Sequence, residues 1–260
     1  MSRAGRARLR AFTLGQRPDL EASVHRLVAS LWPPEMEFIY HDPVCARQWG
    51  SLYREFAEFQ PVLCDGKGTV VAAGFTIPLQ WSGRLRDLPS GVDGALERGA
   101  RGRARKRPPT TLSALLAAVA PDQQRRGLSA RVIRAMRSIA ARHGLRELIA
   151  PVRPTVKHRY PLTAMRRYVR WRRADGAPFD PWLRLHWRLG ARFLRVAPRS
   201  MVVIGTVAQW EAWTTLTFPE SGWYTVPGAL APVRIDRRRN VGRCVEPNVW
   251  MLHPVRARET

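Results

Sequence analysis

Residues 111–152 constrain the chain more than any other stretch. Residues 111–120 form an apolar run that ends at Pro121, long enough for a buried strand. Residues 122–126 are polar, and Gly127 opens the next element. Over residues 128–143, Leu128, Val132, Ile133, Met136, Ile139 and Ala140 recur at helical spacing, with Arg131, Arg134, Arg137 and Arg142 off that face. Gly144 supplies a C-terminal cap, and residues 147–152 read as the strand that follows. Strand, tight loop, helix and strand in this order make a βαβ unit.

The elements before and after fit around that unit. Residues 9–13 read as a first strand. Residues 19–31 read as a helix with Leu20, Val24, Leu27, Val28 and Leu31 on one face, ended by Trp32-Pro33-Pro34. A second helix is expected over 47–59. A hairpin over 61–64 and 69–77 turns at Asp65-Gly66-Lys67-Gly68. Residues 1–8 read as a flexible basic arm. Residues 82–110 read as an inserted basic loop, with a short helix over 88–96 and a run over 98–107 that is either a solvated, mobile surface loop or a lid or docking surface for an anionic partner. Residues 153–179 read as a second insertion, with a short helix over 160–171. Asp180-Pro181 then starts a helix ending at Gly190, Asp180 being its N-cap. A strand over 193–204, a short helix over 206–214 and a hairpin over 232–253 complete the chain. Most of its 10 tryptophans fall from Trp171 onward, which fits either a walled pocket or plain core.

With 260 residues and 45% hydrophobic composition the chain can bury a core as a single domain. No apolar run approaches the roughly 20 residues of a membrane span, and no apolar signal core follows the basic N-terminus. Cys45, Cys64 and Cys244 have neither disulfide-scaffold nor zinc-site spacing. They point to a reducing, cytoplasmic setting with no metal. The formal net charge is +24, and all basic residues but Lys67, Lys106 and Lys157 are arginines. That bias reads in part as codon usage of a GC-rich genome and in part as attraction to a partner of concentrated negative charge.

The loop over 121–127 carries the chemistry. A strand that runs through a basic turn into a helix start presents unpaired N–H groups and a partial positive charge, a natural anion site. Gly127 lets the backbone come close, and Arg125 and Arg126 add charge. On geometry alone this is either a pyrophosphate cradle or an ordinary strand–helix turn.

Gln124-Arg125-Arg126-Gly127-Leu128-Ser129, after Ala118-Val119-Ala120-Pro121, resembles the acyl-CoA motif Gln/Arg-x-x-Gly-x-Gly/Ala of the GNAT superfamily of N-acyltransferases. Ser129 departs from the small Gly or Ala of the last position. The two helices and hairpin before the motif, and Trp187-Arg188-Leu189-Gly190-Ala191 before a strand, resemble the same family over residues 9–253. The resemblance implies an α/β fold with a mixed, mostly antiparallel sheet flanked by helices. Its fourth and fifth strands splay apart to take the pantetheine arm of acyl-CoA or of another phosphopantetheine thioester.

By the same resemblance, backbone groups at Ala118, Val119 and Ala120 pair with the pantetheine amides, and the N–H of Val119 polarises the thioester carbonyl. Gln124, Arg125, Arg126, Gly127, Leu128 and Ser129 hold the pyrophosphate. An amine attacks directly, so no cysteine is needed as a nucleophile. His186 stands where many family members carry the tyrosine that protonates the leaving thiolate. Glu246 is the candidate base, ahead of Glu211. The expected activity is acyl transfer to the amine of a small molecule in specialised metabolism, with CoA or an acidic acyl carrier protein bearing the donor. The competing readings are a nucleic-acid-binding or aminoacyl-tRNA-dependent protein of the same fold, and a non-catalytic acyl-CoA sensor. Nucleic acid is disfavoured because the sequence has no helix-turn-helix, zinc or RNA-recognition signature.

Overall fold

The structure, a computed structural model, describes residues 9–255; the expected arm over 1–8 lies outside them. Nine strands form one sheet: β1 (Arg10–Thr13), β2 (Pro61–Cys64), β3 (Val70–Leu79), β4 (Thr111–Val119), β5 (Glu147–Val152), β6 (Arg192–Gly205), β7 (Gly222–Tyr224), β8 (Val233–Asp236) and β9 (Val241–Pro254). The order runs β1-β2-β3-β4-β5-β9-β8-β7, and β6 pairs along the other edge of β9. The β4–β5 pair is parallel and the other pairings are antiparallel.

The helices are α1 (Glu21–Ala29), α2 (Pro43–Arg54), α3 (Val92–Ala104), α4 (Leu128–Arg142), α5 (Met165–Tyr168), α6 (Pro181–Arg188) and α7 (Val207–Thr214). α1, α2 and α3 cover one face of the sheet and α4 the other. α4 buries the six apolar residues that its periodicity marks. α6 joins α4 on its face, where the Arg137 guanidinium donates to the carbonyls of Leu189 and Pro254. A mixed, mostly antiparallel sheet with helices on both faces is the architecture the family resemblance implies.

The basic insertion differs from expectation. Residues 98–104 are not loop but the second half of α3, which packs on β3 and α2 with Val92, Ala95, Leu96 and Gly99 buried. Gly99 is needed for the approach: a Cβ there would run into the Ile77 side chain. Val92 N–H donates to Ser200 Oγ at 3.0 Å, and Trp250 Nε1 donates to the Pro89 carbonyl at 3.1 Å, tying the insertion to β6 and β9. The expected helix over 160–171 is shorter, confined to α5. Its Tyr168 joins Tyr160, Trp171 and Phe179 in an edge-packed aromatic cluster. Of the late tryptophans, Trp210, Trp213 and Trp250 are buried in the core.

Candidate functional site

β4 and β5 are hydrogen-bonded partners only at Thr111–Ser113 against Glu147–Ile149; beyond this they separate. β5 goes on pairing with β9, while β4 goes on pairing with β3. The β3–β4 register shifts between Phe75 and Thr76, where Leu116 and Ala114 are the partners, so Leu115 is an extra residue on β4. Such a bulge bends its strand and increases the local twist. The gap between the strands is the splay that the family resemblance implies.

The ladder decides which β4 groups face the gap. Ala120 N–H donates to the Val71 carbonyl at 3.0 Å. Backbone direction alternates along an antiparallel pair, so Ala118, opposite Ala73, also bonds toward β3. Val119 and Ala117, opposite Ala72 and Gly74, lie in non-hydrogen-bonded pairs and turn their N–H and C=O away from β3, into the gap. Of the three residues 118–120, Val119 is therefore the one with a free backbone pair. Ala117 joins it, and sequence reasoning missed Ala117.

At the end of β4, residues 121–127 form the loop into α4. Gln124, Arg125, Arg126 and Gly127 are exposed, Leu128 is buried and Ser129 is half-buried. Arg125 takes φ +61° and Gly127 φ +75°, the left-handed region. Gly127 is the N-cap of α4 and offers no side chain to cap it. Among the described residues, the N–H groups of Leu128, Ser129 and Ala130 meet no acceptor. Three bare N–H groups at the start of a 15-residue helix, beside two arginines, make an electropositive cradle.

His186 is 3% exposed on α6. Its Nδ1 lies 2.9 Å from Nε2 of His253 on β9. Burial, with His253 beside it, holds the imidazole neutral and brings its pKa down to about 3. Its Nε2 is buried without a partner among the described residues. His186 is thus no store of protons at neutral pH.

Glu246 lies on β9, with Arg153 just past the end of β5, and it is 3% exposed. Its carboxylate is ion-paired with Arg153, which also donates to the Gly228 carbonyl at 2.7 Å and lies over the Trp32 ring. To accept a proton from an amine, Glu246 would have to give up part of this pairing. Glu211 Oε1 accepts from Phe218 N–H. Cys64 and Cys244 are buried, and burial raises the thiol pKa of all three cysteines. Cys45 stands with Asp42 and Asp93, their ligating atoms within 4.8 Å of one another. By residue type these three suit a metal. However, Asp42 Oδ1 already accepts from Val44 and Cys45 N–H, and its Oδ2 from Val202 N–H. Burial, with the Asp42 and Glu97 carboxylates nearby, raises the Asp93 pKa to about 8.

No family model matches the chain. It is 33% identical to the arginine N-acetyltransferase avaD of Aspergillus versicolor, over 94% of this chain and 93% of that protein. The loading GNATL domain of CurA from Lyngbya majuscula shares the fold, with a TM-score of 0.58 at 15% identity over 96% of this chain and 98% of that one. So does the GphF GNAT-like decarboxylase in complex with isobutyryl-CoA, with a TM-score of 0.52 at 16% identity over 96% and 100%. Among the described residues no helix is long and apolar enough to cross a membrane. With its splayed β4 and β5, its basic loop into α4 and a full-length acetyltransferase relative, the chain belongs to the GNAT superfamily of N-acyltransferases.

Proposed function

We propose that the protein moves an acyl group from acyl-CoA to the amino group of a small amino-acid acceptor, arginine being the first candidate, as a step in specialised metabolism. The observation that supports this most is the continuity of the gap-facing edge of β4 with the bare N–H groups that start α4. In this reading, Leu128, Ser129 and Ala130 N–H, with Gln124, Arg125 and Arg126, take the pyrophosphate, and Gly127 keeps the approach open. The pantetheine amides pair along β4 over residues 117–120. Val119 N–H polarises the thioester carbonyl and holds the oxyanion.

The amine nitrogen attacks the carbonyl carbon. The C–N bond forms, the C–S bond breaks with its electron pair going to sulfur, and the amine's surplus proton ends on sulfur. As a neutral imidazole, His186 receives that proton on Nε2 and delivers it to the thiolate. Glu246, whose partner Arg153 lies over the Trp32 ring, is the carboxylate proposed to take one proton from the ammonium form of the acceptor before attack, distinct from the proton that His186 later carries to sulfur. The curated relative's named substrate is what puts arginine first.

The test is to mix the protein with acetyl-CoA and a panel of free amines including arginine, reading thiol release and product mass. Arginine-dependent thiol release with a mono-acetylated product supports the reading. A folded protein that releases no thiol with any amine would remove it. A carrier-protein donor is the second reading, favoured by the exposed Arg101, Arg103, Arg105, Lys106 and Arg107 at the end of α3. Changing the four arginines to serine should slow only the carrier-bound donor, and chiefly at low salt.

A further inference from the structure

His253 stands behind His186 with no assigned task. It lies on β9 opposite Leu148, 0% exposed, with its side chain on the α6 face of the sheet. A hydrogen bond between two imidazoles needs one donor and one acceptor. Burial, with the Arg137 guanidinium nearby, keeps His253 neutral as well, its pKa brought down to about 4. Each ring therefore carries one proton. Nδ1 of His253 meets no hydrogen-bond partner among the described residues, but the Leu189 carbonyl near the ring favours a proton on this nitrogen, the one not engaged with His186. His253 Nε2 is then the acceptor, and His186 donates to it from Nδ1.

We infer that His253 is a positioning residue, accepting the Nδ1 proton of His186 so that the His186 ring is held in one orientation with a bare Nε2. Nε2 is the atom that the proposed chemistry needs, since it must first receive the amine's proton before the sulfur can take it. His253 touches no substrate and acts through His186. A base oriented by a third group is a general device for activating a weak catalyst. This inference rests on the proposed role of His186 at the leaving sulfur. Arg137, on α4, is the charged group that faces the pair from the neighbouring helix.

Three measurements test it. In the wild-type protein, NMR of ¹⁵N-labelled histidine should find His186 protonated on Nδ1 and bare on Nε2; a proton on Nε2 overturns the assignment without reference to activity. His253→Leu should lower kcat roughly tenfold or more, with the donor KM moving less than about threefold, the scale of a misplaced proton carrier. His253→Gln, whose amide oxygen can still accept, should recover most of that loss. Wild-type kcat in His253→Leu, or equal losses in the Leu and Gln variants at an unchanged thermal midpoint, overturns the inference. His186→Ala separates the two levels. If it turns over normally, the sulfur role itself is wrong; if it is slow while His253→Leu is not, only the role of His253 falls.

Discussion

Val119 stands opposite Ala72 in a non-hydrogen-bonded pair, flanked by Ala118 and Ala120, whose backbones bond to β3. Its N–H therefore points into the gap, and proline there removes a donor without breaking the ladder. Val119→Pro should fold and lose about 10²–10³ in kcat, the scale for one missing oxyanion donor. Ala120→Pro is the control. It deletes the bond to Val71 and should lower the thermal midpoint. Near-normal kcat in a folded Val119→Pro would move the oxyanion donor elsewhere, Ala117 being next.

Gly127 separates strain from charge at the cradle. Nothing lies within 4 Å of a Cβ built there, so the protein itself leaves room, yet φ +75° is costly for any L-residue with a side chain. Gly127→Ala should cost about 1 kcal/mol of stability and shift the donor KM modestly. Gly127→Glu adds a negative charge among the bare N–H groups and should raise the donor KM far more. Equal donor KM values for the Ala and Glu variants would argue against an anion at this loop.

The difference between what could and could not be read from the sequence has physical causes. α4 was legible because six apolar residues mark its buried face and a glycine stops it. α3 was not. Gly94, Gly99 and Gly102 each lower helix propensity by about 1 kcal/mol, and its buried stripe includes Ala95 and Gly99. Packing against Ile77 and Ser200 makes it a helix, and no local window contains those residues. The loop over 121–127 is local and announced itself. Which β4 residues face the gap depends on the β3 register and the bulge at Leu115, so Ala117 was invisible. His253 is 67 residues from His186, and no spacing rule links them.

Glu246 and Arg153 form a buried pair, with side chains 4% and 16% exposed. Removing one partner strands the other's charge, which typically costs about 3–5 kcal/mol. Glu246→Gln should therefore lose both stability and activity, which alone decides little. Glu246→Gln combined with Arg153→Met removes both charges and should recover much of the stability. If Glu246 is the base, activity stays low in the restabilised double variant. Recovered turnover would make the pair structural.

The neutral state of His186 sets the pH behaviour. With its pKa brought down to about 3, its titration should leave kcat flat between pH 5 and 8, with no inflection near the usual histidine value of about 6.5. Stability follows the opposite logic. His186 and His253 both bind protons more readily when unfolded, so their contribution is complete above about pH 6.5 and declines as pH falls toward 4. Urea midpoints at pH 5 and 7 should differ in that direction. A kcat inflection near pH 6.5 that disappears in His186→Ala would contradict the buried, neutral imidazole.

Asp42 and Asp93 impose a dependence of the other sign. Asp42 caps α2 and accepts from Val202 on β6, while Asp93 sits in the first turn of α3, so their contact joins the insertion to the sheet. Burial, Asp42 and Glu97 raise the Asp93 pKa to about 8, against about 3.9 for an unfolded aspartate. The folded state thus binds this proton more tightly. Its contribution is complete below about pH 4 and is lost as pH rises through 8. Asp93→Asn keeps the shape and removes the ionisable group. It should melt higher than wild type at pH 8 and higher still at pH 9, with the gap narrowing toward pH 6. A variant that melts lower than wild type at pH 9 would mean that Asp93 is stabilising as a carboxylate, and the raised affinity of the folded state for this proton would be wrong.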